Sequence, residues 1–91
     1  MDTFDMNSKE TTFLRTKETL VMRGISKSQH YVEIAEGLWT KPVRVGKRGS
    51  AWPLSEIEIQ QAARLAGLST LNIRKLVRKL EKKRQEQFDS L

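Results

Sequence analysis

Only Gly24 and Ile25 separate two segments that each read as a short helix, which leaves the chain few ways to fold between Thr16 and Gly37. In TKETLVMRG, Thr16 is placed to cap a helix start, Leu20 and Val21 to face inward, and Gly24 to take the left-handed conformation that ends a helix. In SKSQHYVEIAEG, Ser26 and Gln29 have the Ser-x-x-Gln spacing of a capping box. His30, Ile34 and Tyr31 fall on or beside the inward stripe, the helix runs to about Glu36, and Gly37 supplies the stop. Two short helices across a glycine turn make a helix-turn-helix layout, which chance also produces in helical proteins.

Beyond Leu38 the period changes. PVRV, GKRG and SAW read as two short strands around a glycine-rich, positively charged turn, a β-hairpin with Lys47 and Arg48 at its tip and Arg44 on its first strand. Pro53-Leu54-Ser55-Glu56-Ile57-Glu58 then reads as a helix start, with Ser55 and Glu58 as a capping box and Leu54 stapled onto Ile59. Ile59, Ala62, Ala63 and Ala66 form the packing stripe of this third helix, and Gly67 closes it. Ser69 caps a fourth helix in which Ile73, Leu76, Val77 and Leu80 recur at helical spacing among Arg74, Lys75, Arg78, Lys79, Lys82, Lys83 and Arg84. The expected class is α+β and mainly helical: a winged helix-turn-helix with additional C-terminal helices. Residues 1–12 form a flexible arm, 13–67 the domain, and 68–91 a basic amphipathic helix packed on the domain or extending from it.

Composition narrows the chemistry. Ninety-one residues with 37% apolar content suffice for one small core, not for a deep enzymatic cleft. Without cysteine there is no disulfide framework or thiolate metal site, and the single histidine has no nucleophile and carboxylate arranged around it, so neither catalytic residues nor metal or cofactor are expected. No stretch has the length of a membrane helix or the layout of a signal peptide, which suits a cytoplasmic protein. The formal charge of +6 fits nucleic acid, an anionic membrane or an acidic protein. Bases outnumber acids eight to three over residues 14–50, where the helix pair and hairpin lie. The tail helix has no tryptophan, and no phenylalanine before Phe88, which argues against a membrane surface.

The order of FLRTKE from Phe13, GISKS from Gly24, Tyr31, EGLWTKPVRVGKR from Glu36 and AWP from Ala51 resembles the AlpA-type phage regulators and excisionases. Their usual pattern runs Phe-Leu-Arg-x-Lys-Glu, Gly-Leu-Ser-Arg-Ser, Tyr, Gly-x-Phe-Pro-x-Pro-Val, Gly-x-Arg and a closing Trp. The resemblance spans about Phe13 to Pro53. It implies a MerR-like winged helix whose second helix enters the major groove while the wing lies against the backbone. It also implies a role in a prophage or mobile element, as transcriptional regulator or as a factor directing excision with an integrase. Two departures stand out: Thr40 occupies the usual first proline, and Val32-Glu33 replaces a basic–apolar pair. An acid at position 33 either repels phosphate or accepts from a cytosine amino group.

Candidate DNA contacts follow. Lys27, Ser28 and Gln29 sit in the first turn of helix two, within reach of base edges, and Gln29 either reads adenine or is occupied in the capping box. Tyr31 donates to phosphate or packs. Arg15 touches backbone or is a solvated charge. Lys41, Arg44, Lys47 and Arg48 supply sequence-independent attraction from the wing. His30 is assigned to structure, and Trp39 and Trp52 to the core or the wing anchor. A module this small reads few base pairs over roughly 600 to 1,000 Å², so several copies are expected to bind side by side. The alternative from another class is an adaptor or inhibitor that uses the basic tail on an acidic protein.

Overall fold

The computed structural model describes residues 12–91. Strand β1 (Phe13–Arg15) leads into α1 (Thr16–Arg23) and α2 (Lys27–Ala35), followed by β2 (Val43–Val45), β3 (Gly49–Pro53), α3 (Leu54–Leu65) and α4 (Thr70–Asp89). The fold is α+β and mainly helical, winged-helix-like, with a three-stranded antiparallel sheet in the order β1-β3-β2. Most of the arm assigned to residues 1–12 lies outside the described residues. Thr12, counted with it, is already tied down, its carbonyl accepting from Leu54 N–H at 2.8 Å.

The turn between α1 and α2 forms as the glycine requires: Gly24 has φ 68° and its N–H reaches Leu20 O at 2.8 Å. Ser26 caps α2, its hydroxyl accepting from Gln29 N–H at 3.1 Å. Helix α1 begins one residue earlier than expected. Arg15, not Thr16, is its N-cap, and the Glu18 carboxylate closes the end by accepting Arg15 N–H at 2.8 Å. Its inward residue is Thr19, fully buried, with a hydroxyl donating to Arg15 O at 2.9 Å; Val21 is 76% exposed, which corrects its inward assignment.

The central strand carries the core. Trp52 and Trp39 are fully buried with Ile57, and Leu14 and Ile34 pack against them. Strand β1 is not recognisable in the sequence because three residues show no period; it exists through its partner, Leu14 opposite Trp52. Helix α3 differs from expectation in start and in face. Its N-cap is Pro53, without a side-chain cap, so Ser55 and Glu58 form no capping box and Leu54 lies inside the helix. The buried face is Glu56, Ile57, Gln60 and Ala63, while Ile59, Ala62 and Ala66 are exposed. Two of those buried residues are polar, and both are satisfied. Gln60 accepts Thr40 N–H at 3.0 Å and donates to Thr40 Oγ1 at 3.1 Å; Glu56 takes two hydrogen bonds from Arg84, at 2.6 and 2.8 Å.

Helix α4 has the expected cap, Ser69 Oγ accepting from Asn72 N–H at 3.2 Å, and Val77 and Leu80 are buried as the stripe requires. It grips the segment between α2 and β2. Arg74 donates to Glu36 O at 2.9 Å, Arg84 to Lys41 O at 2.8 Å, and Glu81 accepts Lys41 N–H at 2.8 Å.

Candidate nucleic-acid interface

Helix α2 rests on its supports through one face and leaves the other bare. His30 is fully buried, its ring edge-on to Trp52 at 4.8 Å and to Tyr31 at 5.1 Å, and Ile34 packs on the core beside it. The helical period then turns Ser28, Val32 and Ala35 away from the core, flanked by Lys27, Gln29 and Tyr31. All six are exposed; Val32 is 47% and Tyr31 39% accessible. Val32 is an addition to the residues expected from the sequence. The inward positions of His30 and Ile34 already place it opposite them, and an exposed apolar side chain there suits contact with a thymine methyl.

The acid on α2 does not face outward. Glu33 turns beneath the helix, where one carboxylate oxygen pairs with Arg23 and lies 3.2 Å from Arg64 Nη2. The other oxygen accepts from Gln29 Nε2 at 3.3 Å. Burial pushes the Glu33 pKa up, but hydrogen bonds from Arg23 and Gln29 and the charges of Arg23 and Arg64 outweigh it, and the carboxyl titrates below its ordinary range. Arg23 is itself spread over Trp39, its guanidinium carbon 3.7 Å from the ring centroid, with Arg64 further off at 5.6 Å. The Gln29 side chain therefore goes to Glu33 and not back to the start of the helix, so only the Ser26 half of the capping box forms.

His30 closes the same cluster. Arg23 donates to Nδ1 at 2.9 Å, and because an arginine can only donate, the ring proton sits on Nε2. Burial first, and the Arg23 charge second, push the imidazole down to about 4, against a weaker opposite pull from Glu33. The unfolded chain takes up this proton near pH 6.5, the folded chain only near 4, so stability falls as the pH drops through that window. Urea midpoints measured from pH 7.5 to 4 are expected to decline accordingly. His30→Gln, which keeps an acceptor for Arg23 but cannot be protonated, is expected to flatten the decline; an unaltered slope would contradict this account.

The hairpin joins this face through its register. Arg44 pairs with Ser50, which lies on the same side of β3 as Trp52, so Arg44 leaves the edge of the sheet on the side where His30 of α2 is seated. Its guanidinium donates to Lys47 O at 3.1 Å, and Arg44 and Arg48 line one shallow depression with Pro42 and Ser50. The tip, Gly46-Lys47-Arg48, is exposed, and Gly46 takes φ 69° to make the turn. Two assigned residues stand apart. Arg15 lies across the opposite sheet face over Gly49, where an added methyl would come 2.7 Å from its Nη2. Lys41 is beside Glu81 and Arg84 of α4, away from the first turn of α2. Among the described residues there is no group of side chains fit to hold a metal ion, and no helix is long and apolar enough to cross a membrane.

A helix-turn-helix seated on a small sheet, with a basic hairpin at the sheet edge, defines a winged-helix-like protein. Residues 12–65, from the residue before β1 to the end of α3, match the family described as prophage CP4-57 regulatory protein (AlpA). The chain belongs to this family of prophage regulatory proteins. No curated protein and no solved structure matches it. Helix α4 lies beyond the matched residues. Thr40, where the family pattern has proline, uses the N–H that a proline would lack to bond Gln60, and its carbonyl accepts from the Trp52 indole at 2.8 Å.

Proposed function

We propose that the protein is a cytoplasmic, sequence-specific duplex DNA-binding regulator of a prophage or related mobile element, acting by binding and not by catalysis. The observation that carries this reading is the outward face of α2. Its one acid is drawn beneath the helix and neutralised, leaving Lys27, Ser28, Gln29, Tyr31 and Val32 to meet a groove. Lys27, Ser28 and Gln29 occupy the first turn, where a recognition helix meets base edges. Arg44, Lys47 and Arg48 extend from the hairpin toward phosphate and supply attraction that every sequence shares. Family membership supports a regulatory role, as an activator or repressor of transcription or as a factor that directs excision with an integrase. Neighbouring copies on repeated sites would supply the specificity that one small module lacks.

The two contributions separate experimentally. Lys47→Ala with Arg48→Ala is expected to weaken binding to cognate and random duplexes alike and to lower the salt slope by about 0.9 for each phosphate that is no longer neutralised. Lys27→Ala or Ser28→Ala is expected to alter site preference. Titration of duplexes across a salt series checks both, and absence of duplex binding at low salt would reject the proposal.

A second reading rests on the outer face of α4, where Lys75, Arg78, Lys79 and Lys82 are all exposed. It makes the protein an adaptor for an acidic partner. Alanine at Lys75, Lys79 and Lys82 would then abolish function while the hairpin variant had no effect.

A further inference from the structure

Among the described residues, Gln29 is the one side chain on the outward rim of α2 that is hydrogen-bonded to another side chain of the helix, and its partner can only accept hydrogen bonds. The Glu33 carboxylate is fixed from below: one oxygen is engaged by Arg23 and approached by Arg64, and Arg23 is in turn pinned by His30 Nδ1 and the Trp39 ring. Its second oxygen faces Gln29 Nε2 at 3.3 Å. An ionised carboxylate has no proton to give, so the amide must turn its NH2 end toward Glu33 and its carbonyl oxygen away. A flipped amide would set two acceptors against each other and leave both short of a donor. The amide thus has a preferred orientation before any ligand arrives, and Oε1 and the second Nε2 hydrogen keep no partner among the described residues.

We infer that Glu33 is a positioning residue that locks the Gln29 amide for reading an adenine in the major groove. The inference rests on the duplex-binding reading given above. Adenine presents an N6 amino donor beside the N7 acceptor, which complements a free carbonyl oxygen beside a free N–H. Guanine presents two acceptors at the same edge, N7 and O6, and the locked oxygen meets one of them without a hydrogen between. Fixing the amide in advance also removes rotamer freedom that binding would otherwise have to freeze. Glu33, which together with Val32 stands where the family has a basic–apolar pair, is therefore a specificity element that never touches DNA.

The test uses the full chain and a pool of duplexes randomised over the bound site, with a uniform non-specific duplex as reference. Gln29→Ala, a change at an exposed position, is expected to erase an adenine preference at one base pair, by roughly 5- to 150-fold in affinity expressed relative to that for the reference duplex. Glu33→Asp retains a charge beside Arg23 and Arg64 but withdraws the carboxylate from Gln29 by one methylene. It is expected to relax the same base pair, and the double variant to behave as Gln29→Ala alone. In the free protein, the Gln29 side-chain amide signals are expected to shift in Glu33→Asp and to move with pH as Glu33 titrates. The inference is overturned if Gln29→Ala leaves every preference intact, if the two single variants relax different base pairs, or if the amide signals ignore Glu33. Failure of the wild-type chain to bind even the reference duplex would instead overturn the duplex-binding reading.

Discussion

Trp52→Ala is expected to cost about 3–5 kcal/mol of folding stability, the range for truncating a large buried aromatic. The residue is fully buried on the central strand and meets His30 at 4.8 Å, and its indole N–H holds Thr40 O at 2.8 Å. Truncation opens a cavity under α2 and strips the carbonyl of its donor. For a chain of this size, whose whole stability is about 5–15 kcal/mol, either loss is a large share. Urea denaturation followed by circular dichroism measures the effect. Trp52→Phe, which restores most of the volume but not the N–H, should recover the larger part of it, and a loss below about 1 kcal/mol for the alanine variant would contradict this description of the core.

Glu33→Ala is expected to cost a similar amount, about 3–5 kcal/mol, for a different reason. It leaves Arg23, whose side chain is 2% exposed, without its counter-charge and close to Arg64. The charge cannot reach water, so the penalty is that of an unpaired buried ion and not only of a lost bond. Replacing both members, Arg23→Met with Glu33→Leu, removes the ion together with its partner and is expected to restore much of the loss. A double-mutant cycle in urea reads the coupling. Additive losses would show that the pair is not the reason Glu33 matters to folding.

Those parts of the fold whose cause is local are legible in the sequence. Gly24, Ser26, Gly67 and Ser69 mark helix ends through backbone geometry and short-range hydrogen bonds, and the hairpin is announced by its turn and alternation. The stripe of α4 holds for the same reason. What escapes depends on residues far away in the chain. Hydrophobic periodicity puts Ile59 inside α3, yet Glu56 and Gln60 lie there because Arg84 and Thr40 satisfy them. Polarity alone favours Val21 over Thr19, whereas the Thr19 hydroxyl finds the Arg15 carbonyl within its own turn. In the candidate site, the first turn of α2 and the charged hairpin are both visible. The direction of Glu33 is not, since it is decided by Arg23 on α1 and Arg64 on α3. Val32 draws no notice beside that acid, and Lys41 groups with the wing because nothing nearby reveals the grip of α4 on its backbone.

The pairing of β1 with β3 has a further consequence for how the molecule comes into being. Phe13 pairs with Pro53, so both helices of the helix-turn-helix and the first strand of the hairpin lie within the ring that this contact closes. Helices shorter than about 12–15 residues are marginal in water on their own, and α1 and α2 have 8 and 9 residues. They gain their support only when the two ends of the ring meet, a slow step because its entropy is lost before packing compensates. Helix α2 and the scaffold that seats it therefore arise in one event, and a chain nicked inside that ring has no half that keeps the candidate face assembled.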